Sequence, residues 1–375
     1  MATVPAALAD LLERLVAIDS ANPTLVPGGA GEGVIARFVG EWLRERGLDV
    51  RIDEVAPGRP NVIATARGSG GGRSLVLNAH TDTVGFGGMR DPLLPRIEGR
   101  RLYGRGAYDM KGSLAAIMLV AAEAYKRGVG GDVVVTAVAD EEAASVGTED
   151  VARRLRADAA IVAEPTDLAV AVAHKGFVWL EVETHGRAAH GSRYDLGVDA
   201  IARMGHVLVG LERLDKALRD GGTPHPLLGG GSVHAGLIRG GEAVSIYPDR
   251  CVVHLERRTV PGETPELAER EIRTLLGDLG GDVRVPFSRD PLETSGDEEI
   301  VRLVAKHARE ALGREAELVG VPFWTDAALL AARGIPTVVF GPPGEGAHAD
   351  VEWVDLEGLE RCYEILLATV LEFCQ

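Results

Sequence analysis

Apolar side chains recur at spacings of three and four over residues 5–17 and again over 32–46, which predicts two amphipathic helices, the second stopped by Gly47. The stretch between them, SANPTLVPGGAGEG, is a loop by composition. RIDEVA and NVIATA alternate or run β-branched, and the glycines of 68–72 turn the chain back into SLVLNA, so a hairpin inside a larger sheet is expected. Residues 113–125, rich in alanine, leucine and methionine, predict a helix buried on most faces. DVVVTAVAD and AAIVAEPT read as core strands, with a helix over 147–156 between them. Strands alternating with helices in this way imply three α/β/α layers around a largely parallel sheet.

The texture changes after Lys175. GFVWLEVETHG alternates with period two, as a strand covered on one face does. A helical pattern over 195–218, the glycine-rich GGTPHPLLGGGS, and the strands SVHAGLIRGG and CVVHLERRT follow. Residues 264–279 predict a helix: the Thr264 hydroxyl can cap its first turn, and Pro265 sits where a missing N–H costs nothing. DVRVPF completes a β-α-β-β-α-β order, that of a ferredoxin-like α+β domain. A helix over 298–312, the short strands AELVG and PTVVF, and an amphipathic helix over 355–373 then resume the α/β texture. The expected organisation is one α/β domain over 1–176 and 289–375, interrupted by a smaller domain over 177–288. A chain of 375 residues fits two cores better than one.

Composition narrows the function classes. Hydrophobic residues make up 46% and charged residues 26%, which excludes wholesale disorder. A net charge of −16 argues against nucleic acid or an anionic membrane as partner, though a local cluster of cations could still hold a small anion. The start of the chain carries acidic residues and no basic segment, so no secretory signal is expected, and no apolar run approaches the length of a membrane span. Cys251, Cys362 and Cys374 lack metal-finger spacing and fit a reduced, cytoplasmic protein.

The chemistry lies at the strand ends. His80 and Asp82 follow one predicted strand, and Asp109 sits in a glycine-punctuated loop before a helix. Glu141 and Glu142 follow another strand, Glu164 a third, and His348 lies in the loop after PTVVF. Ligands collect at the C-terminal strand edge of open α/β sheets. Carboxylates and imidazoles gathered there suit a pair of divalent metals about 3.5–4 Å apart, with one carboxylate bridging. Asp109, alone on its loop, is the natural bridge. Adjacent residues of an extended segment point in opposite directions, so only one of Glu141 and Glu142 can ligate comfortably, and spacing leaves open which.

LVLNAHTDTV, GRGAYDMKGS, the Asp-Glu-Glu and Glu-Pro-Thr strand ends, GRAAHGS, GGEAVSIYPDRC, WTDA and AHADVEWV follow one another along essentially the whole chain. In that order they resemble the dinuclear zinc family of acetylornithine deacetylase, succinyl-diaminopimelate desuccinylase, aminoacylases and glutamate carboxypeptidase. The resemblance implies a zinc-peptidase-like catalytic domain with residues 177–288 as a lid and dimerisation domain. It implies that His80, Asp109 and Glu164 hold one metal and Asp109, Glu142 and His348 the other, with zinc as the ion and cobalt or manganese as alternatives. Asp82 is then the partner of His80, its carboxylate accepting from the free ring nitrogen, and Glu141 is the general base. Two dications against three ligand carboxylates leave about one positive charge, which favours ionising a bridging water.

His190 matches the family histidine that stabilises the oxyanion from the partner subunit, and Arg258 the arginine that grips a substrate carboxylate, with Arg257 as its competitor on the same strand. Thr325 and Asp326 match a substrate-facing loop. Where many relatives carry asparagine, this chain has Ser245, which shortens the reach towards substrate. The implied activity is hydrolysis of an N-acyl amino acid in the manner of acetylornithine deacetylase, in a cytoplasmic homodimer. Desuccinylase, aminoacylase and dipeptidase or carboxypeptidase activities are the alternatives within the family. A dinucleotide-binding reading of GRGAYDM fails, because Asp109 occupies the third glycine position. Nucleophilic catalysis lacks a Gly-x-Ser-x-Gly elbow. A non-catalytic protein of the same fold would be expected to have lost a ligand or the base, and none is missing.

Overall fold

Side chains along the buried strands divide by parity between two faces. In the computed structural model, which describes residues 4–221 and 224–375, Leu75, Leu77 and Ala79 join one large core with Val133, Val135, Ala137, Ala159 and Ile161. Val76, Val134 and Ala160 are equally buried but lie outside that core, on the other face. A sheet buried on both faces needs a helical layer on each. Gly222 and Thr223 of the glycine-rich segment, like residues 1–3, fall outside the described residues.

The chain forms two units, Met1–Val172 with Thr294–Val319 and Thr325–Gln375, and Ala173–Glu293 with Gly320–Trp324. In the first, helices α1 (Val4–Val16) and α2 (Gly33–Arg44) precede β1 (Asp49–Ala56), β2 (Arg59–Ala66) and β3 (Leu75–His80). The short strands β4 (Arg96–Glu98) and β5 (Arg101–Tyr103) lead to α3 (Gly112–Arg127), β6 (Val133–Val138), α4 (Val146–Arg154), β7 (Ala159–Val162) and β8 (Val170–His174). The large sheet runs β1-β2-β6-β3-β7, then the late strand Thr337–Val339, then β8.

The expected hairpin between 61–66 and 74–79 does not form. β6 lies between β2 and β3, antiparallel to the first and parallel to the second. Every residue of β3 is buried, so it belongs mid-sheet, flanked by β6 and β7. The hairpin in this region is β1 with β2, turned at Gly58, whose φ of +73° suits a residue without Cβ. β6, β3, β7 and Thr337–Val339 are mutually parallel, so their C-terminal ends share one edge. α3 is buried on most faces, as its alanines allow, and stops at Gly128 with φ +70° and Lys126 and Arg127 in its last turn.

The second unit follows its predicted order. β9 (Gly176–His185), α5 (Ala200–Asp220), β10 (Ser232–Gly240), β11 (Arg250–Thr259), α6 (Pro265–Leu276) and β12 (Gly281–Arg289) give an antiparallel sheet in the order β10-β11-β9-β12. Val178, Leu180, Val182, Val253 and Leu255 face Met204, Val207 and Ile272 of the two helices. α5 begins later than the pattern predicts, because Asp199 caps it by accepting from Ala202 N–H at 2.9 Å. The residues before it form a loop that carries His190.

Back in the first unit, helices Glu299–Leu312 and Leu356–Phe373 complete the layer that holds α1 and α3, while α4 and the short helix Ala327–Ala331 lie on the opposite face. No helix among the described residues is long and apolar enough to cross a membrane. Leu77, fully buried mid-sheet, should be costly to truncate. Leu77→Ala is expected to lower unfolding stability by about 2–5 kcal/mol, read from the shift in urea midpoint.

Candidate metal centre

The four parallel strands deliver acids and histidines to one edge. β3 ends in His80, β6 runs into Asp140-Glu141-Glu142, β7 into Glu164, and Thr337–Val339 leads to the loop of His348. Asp109 joins them from the loop before α3. Its two oxygens face different partners: Oδ1 lies 3.0 Å from His80 Nε2, and Oδ2 lies 3.3 Å from His348 Nε2. Glu164 Oε1 is 3.7 Å from His80 Nε2, and Glu142 Oε2 is 2.8 Å from His348 Nε2. Two triads result, His80–Asp109–Glu164 and Asp109–Glu142–His348, in each of which the potential ligand atoms lie within 4.8 Å of one another. Asp109 belongs to both, and Glu141 to neither.

A four-stranded sheet frames the Asp109 and His348 loops. Trp353–Asp355 pairs with β5, and Gly344–Glu345 pairs with Trp353–Asp355. Glu352 at its margin is buried and ties the two loops together. Its Oε1 accepts from the N–H groups of Tyr108 (3.0 Å) and Asp109 (3.1 Å). Its Oε2 accepts from Gly106 N–H (3.0 Å) and from Arg105 (2.7 Å). Arg105, itself buried, also donates to Ala349 O beside His348 at 2.9 Å. His348 adopts φ +63°, a left-handed conformation that costs a non-glycine residue about 1–3 kcal/mol.

Asp82 plays a different part from the one implied. His80 Nδ1 lies 2.9 Å from the main-chain oxygen of Asp82 and 3.7 Å from its carboxylate. A carbonyl only accepts, so Nδ1 carries the proton and Nε2 faces the cluster. The Asp82 carboxylate is turned to other donors: Oδ1 takes Glu141 N–H (3.1 Å), while Oδ2 takes Glu142 N–H (3.2 Å) and the Asn22 amide (2.7 Å). It orders the segment of the two glutamates rather than the histidine ring.

Electrostatics mark the cluster as a cation site. Burial raises the carboxyls of Glu141 and Glu164 well above the ordinary range, and neighbouring carboxylates push them further. Burial raises Glu142 too, with Asp109 adding to it. Burial also opposes the charge on Asp109, but hydrogen bonds from His348 and His80 outweigh it and hold this acid below the usual range. The Asp109 and Glu142 carboxylates push His348 up to about 10. One buried acceptor, Glu142 Oε1, has no hydrogen-bond partner. An unmatched carboxylate oxygen and a donor set of imidazole nitrogens and carboxylate oxygens fit a divalent ion such as zinc, manganese or cobalt.

Thr325 and Asp326, matched to a substrate-facing loop, lie in the interior of the chain. Both are buried: Thr325 Oγ1 accepts from Ala327 N–H at 3.2 Å, and Asp326 Oδ2 accepts from Thr148 Oγ1 at 2.6 Å. Burial pushes the Asp326 carboxyl up to about 6.

In the second unit, His190 is exposed, and Ser192 N–H donates to its Nδ1 at 3.2 Å. Nδ1 is therefore an acceptor, and the neutral ring offers an N–H from Nε2. Ser245 lies beside it, with its main-chain oxygen taking Gly191 N–H at 2.7 Å. Arg257 and Arg258 of β11 differ in setting. Arg257 is buried and held by Glu263 and Glu271, whereas Arg258, bonded through Nε to Glu256 at 2.7 Å, is partly exposed.

Residues 76–372 match the family model described as peptidase family M20/M25/M40. The chain belongs to that family. It is 34% identical over 392 residues to acetylornithine deacetylase from Myxococcus xanthus, covering 99% of this chain and 98% of that protein. The fold is also that of an M20 family metallo-carboxypeptidase from Sulfolobus solfataricus (TM-score 0.81, 19% identity, 98% of each chain). A dinuclear metal-binding M20 peptidase from Bacillus subtilis is similar too (TM-score 0.72, 18% identity, 98% of this chain and 99% of that one). As an M20 chain it is a metallohydrolase acting on amide bonds.

Sequence reasoning missed Glu352 and Arg105, as well as Glu32 and Arg59 behind the Asp140 turn. Glu352→Ala strips a buried guanidinium of its partner and frees three N–H groups of the Asp109 loop. Metal affinity is expected to fall about 10–100-fold and stability by about 3–5 kcal/mol, read by calorimetric titration and urea unfolding.

Asp326 predicts a pH effect. Its folded pKa of about 6 lies above its ordinary 3.8, so the fold binds the proton more tightly and loses stability as pH rises through that interval. In chelator-treated protein, Asp326→Asn should therefore gain on the parent by about 1–3 kcal/mol between about pH 4 and pH 7. Parallel stability curves would contradict this.

Proposed function

We propose that this M20 hydrolase removes the acyl group from an N-acyl amino acid with a free carboxylate, in the manner of acetylornithine deacetylase. The observation that carries the reading is the pair of triads sharing Asp109 with Glu141 left outside them, in a chain whose deacetylase relative aligns over nearly its whole length. His80, Asp109 and Glu164 would hold one divalent ion and Asp109, Glu142 and His348 the other. When bound, the pair supplies Lewis acidity that polarises the scissile carbonyl and makes a water easier to deprotonate.

Glu141, free of the ligand sets, takes the proton of the attacking water and returns it to the leaving amine. His190 donates from Nε2 to the developing oxyanion, and the free fork of Arg258 pairs with the substrate carboxylate. Ser245, next to His190, tunes substrate reach. Zinc is the ion favoured by the imidazole and carboxylate donors, with cobalt or manganese as alternatives. A cytoplasmic homodimer paired through the second unit completes the reading, in keeping with the three cysteines being free thiols.

Acetate release from N-acetylornithine should exceed hydrolysis of succinyl-diaminopimelate and of dipeptides when each is supplied with zinc, cobalt or manganese. Faster cleavage of a dipeptide would reverse the assignment. Glu141→Gln is expected to keep two metals per chain by elemental analysis while kcat drops by about 10²–10⁴-fold. Loss of an ion from that variant would make Glu141 a ligand instead of the base.

A further inference from the structure

Behind the glutamate segment lies a closed set of buried charges that neither triad uses. Asn22, Glu32, Arg59, Asp82 and Asp140 are all buried. Arg59 donates to both oxygens of Glu32 (2.7 and 2.6 Å) and to Asp140 Oδ1 (2.7 Å). Glu32 Oε1 also accepts from Asp140 N–H at 3.2 Å. The Asn22 amide donates to Asp82 Oδ2 at 2.7 Å and to Asp140 Oδ1 at 3.1 Å. Asn22 itself is fixed, because its Oδ1 accepts from Thr24 N–H (2.9 Å) and its N–H donates to Thr83 O (2.8 Å).

From this geometry we infer that Asn22, backed by Arg59, is a positioning residue that separates the roles of Glu141 and Glu142. Asp82 accepts the N–H groups of both glutamates on its two oxygens and so fixes the peptide plane between them. That plane decides which side chain turns to Asp109 and His348 and which stays free. The plane can be no better defined than the carboxylate that holds it. Asn22 defines that carboxylate from one side and anchors Asp140, the residue preceding Glu141, from the other.

Asp140 adopts φ +70°, a conformation that needs support from its surroundings. Its main-chain oxygen takes the N–H groups of Ala143, Ala144 and Ser145, and its side chain takes Arg59 and Asn22. Two buried carboxylates that share an amide NH₂ would, without it, each lose a donor where water cannot replace it. The guanidinium cannot serve both, since its contacts are to Glu32, Asp140 and Thr24.

The inference rests on the functional reading above, and metal binding tests it separately from activity. Zinc is titrated by calorimetry into chelator-treated wild type and Asn22→Leu, a substitution of similar shape without donors. The site bearing Glu142 is expected to weaken about 10–100-fold while the His80–Asp109–Glu164 site stays within about threefold. With both sites filled, kcat on an N-acetyl amino acid should fall about 10–100-fold and KM change less than about threefold. Equal weakening of both sites, or unchanged affinities and unchanged kcat, overturns the positioning role.

Should Asn22→Leu fail to fold, Arg59→Lys keeps the charge but cannot span Glu32 and Asp140. The same one-sided loss, about 3–10-fold, is then expected, and no loss at either site overturns the inference. A wild type that binds two ions yet cleaves no N-acyl amino acid overturns the functional reading instead, while the affinity split still decides the role of Asn22.

Discussion

Asp109, Glu141, Glu142, Glu164 and Asp326 crowd into one buried or half-buried cluster, where water screens their mutual repulsion poorly. Two histidines offset part of it: Asp109 stays ionised between His80 and His348, while its neighbours are driven towards their neutral forms. Burial on this scale is unfavourable for a fold by itself, and divalent cations are the natural counter-charge. Much of the surrounding architecture follows from that constraint. Parallel strands bring the acids to one edge, and helices cover both faces of the sheet behind it.

The supporting groups are as consequential as the ligands. Glu352 gathers three main-chain N–H groups and a guanidinium, holding the Asp109 loop against the segment that carries His348. Arg59 and Glu32 do the equivalent work under the Asp140 turn. Each arrangement joins segments far apart in the chain by a buried charge pair. Such pairs contribute more to geometry than to net stability, because desolvation consumes most of the attraction.

The ligand residues were legible because each stands at the end of an apolar strand or in a glycine-marked loop, and because their order along the chain resembles one family. The supporting charges were not. Arg59 reads as part of a turn, Glu32 as the lead-in to a helix, and Glu352 as one more acid in an acidic chain. Nothing in periodicity separates a buried charge from a solvated one. The position of β6 between β2 and β3 escaped for a related reason: glycines announce a change of direction, but not which strand the chain will lie beside. The use of the Asp82 main chain, rather than its carboxylate, to orient His80 depends on a competition among donors that only coordinates reveal.

The strand Thr337–Val339 fits between β7 and β8, yet it is made long after both. During synthesis the growing chain must complete the whole of the second unit while a gap one strand wide stays open in the first. The exposed edges of β7 and β8 are then candidates for the wrong partner. His348 follows Thr337–Val339 in the chain, so synthesis delivers His80, Asp109 and Glu164 well before the last member of the second triad. The order of synthesis thus supplies the ligands of the full metal centre last.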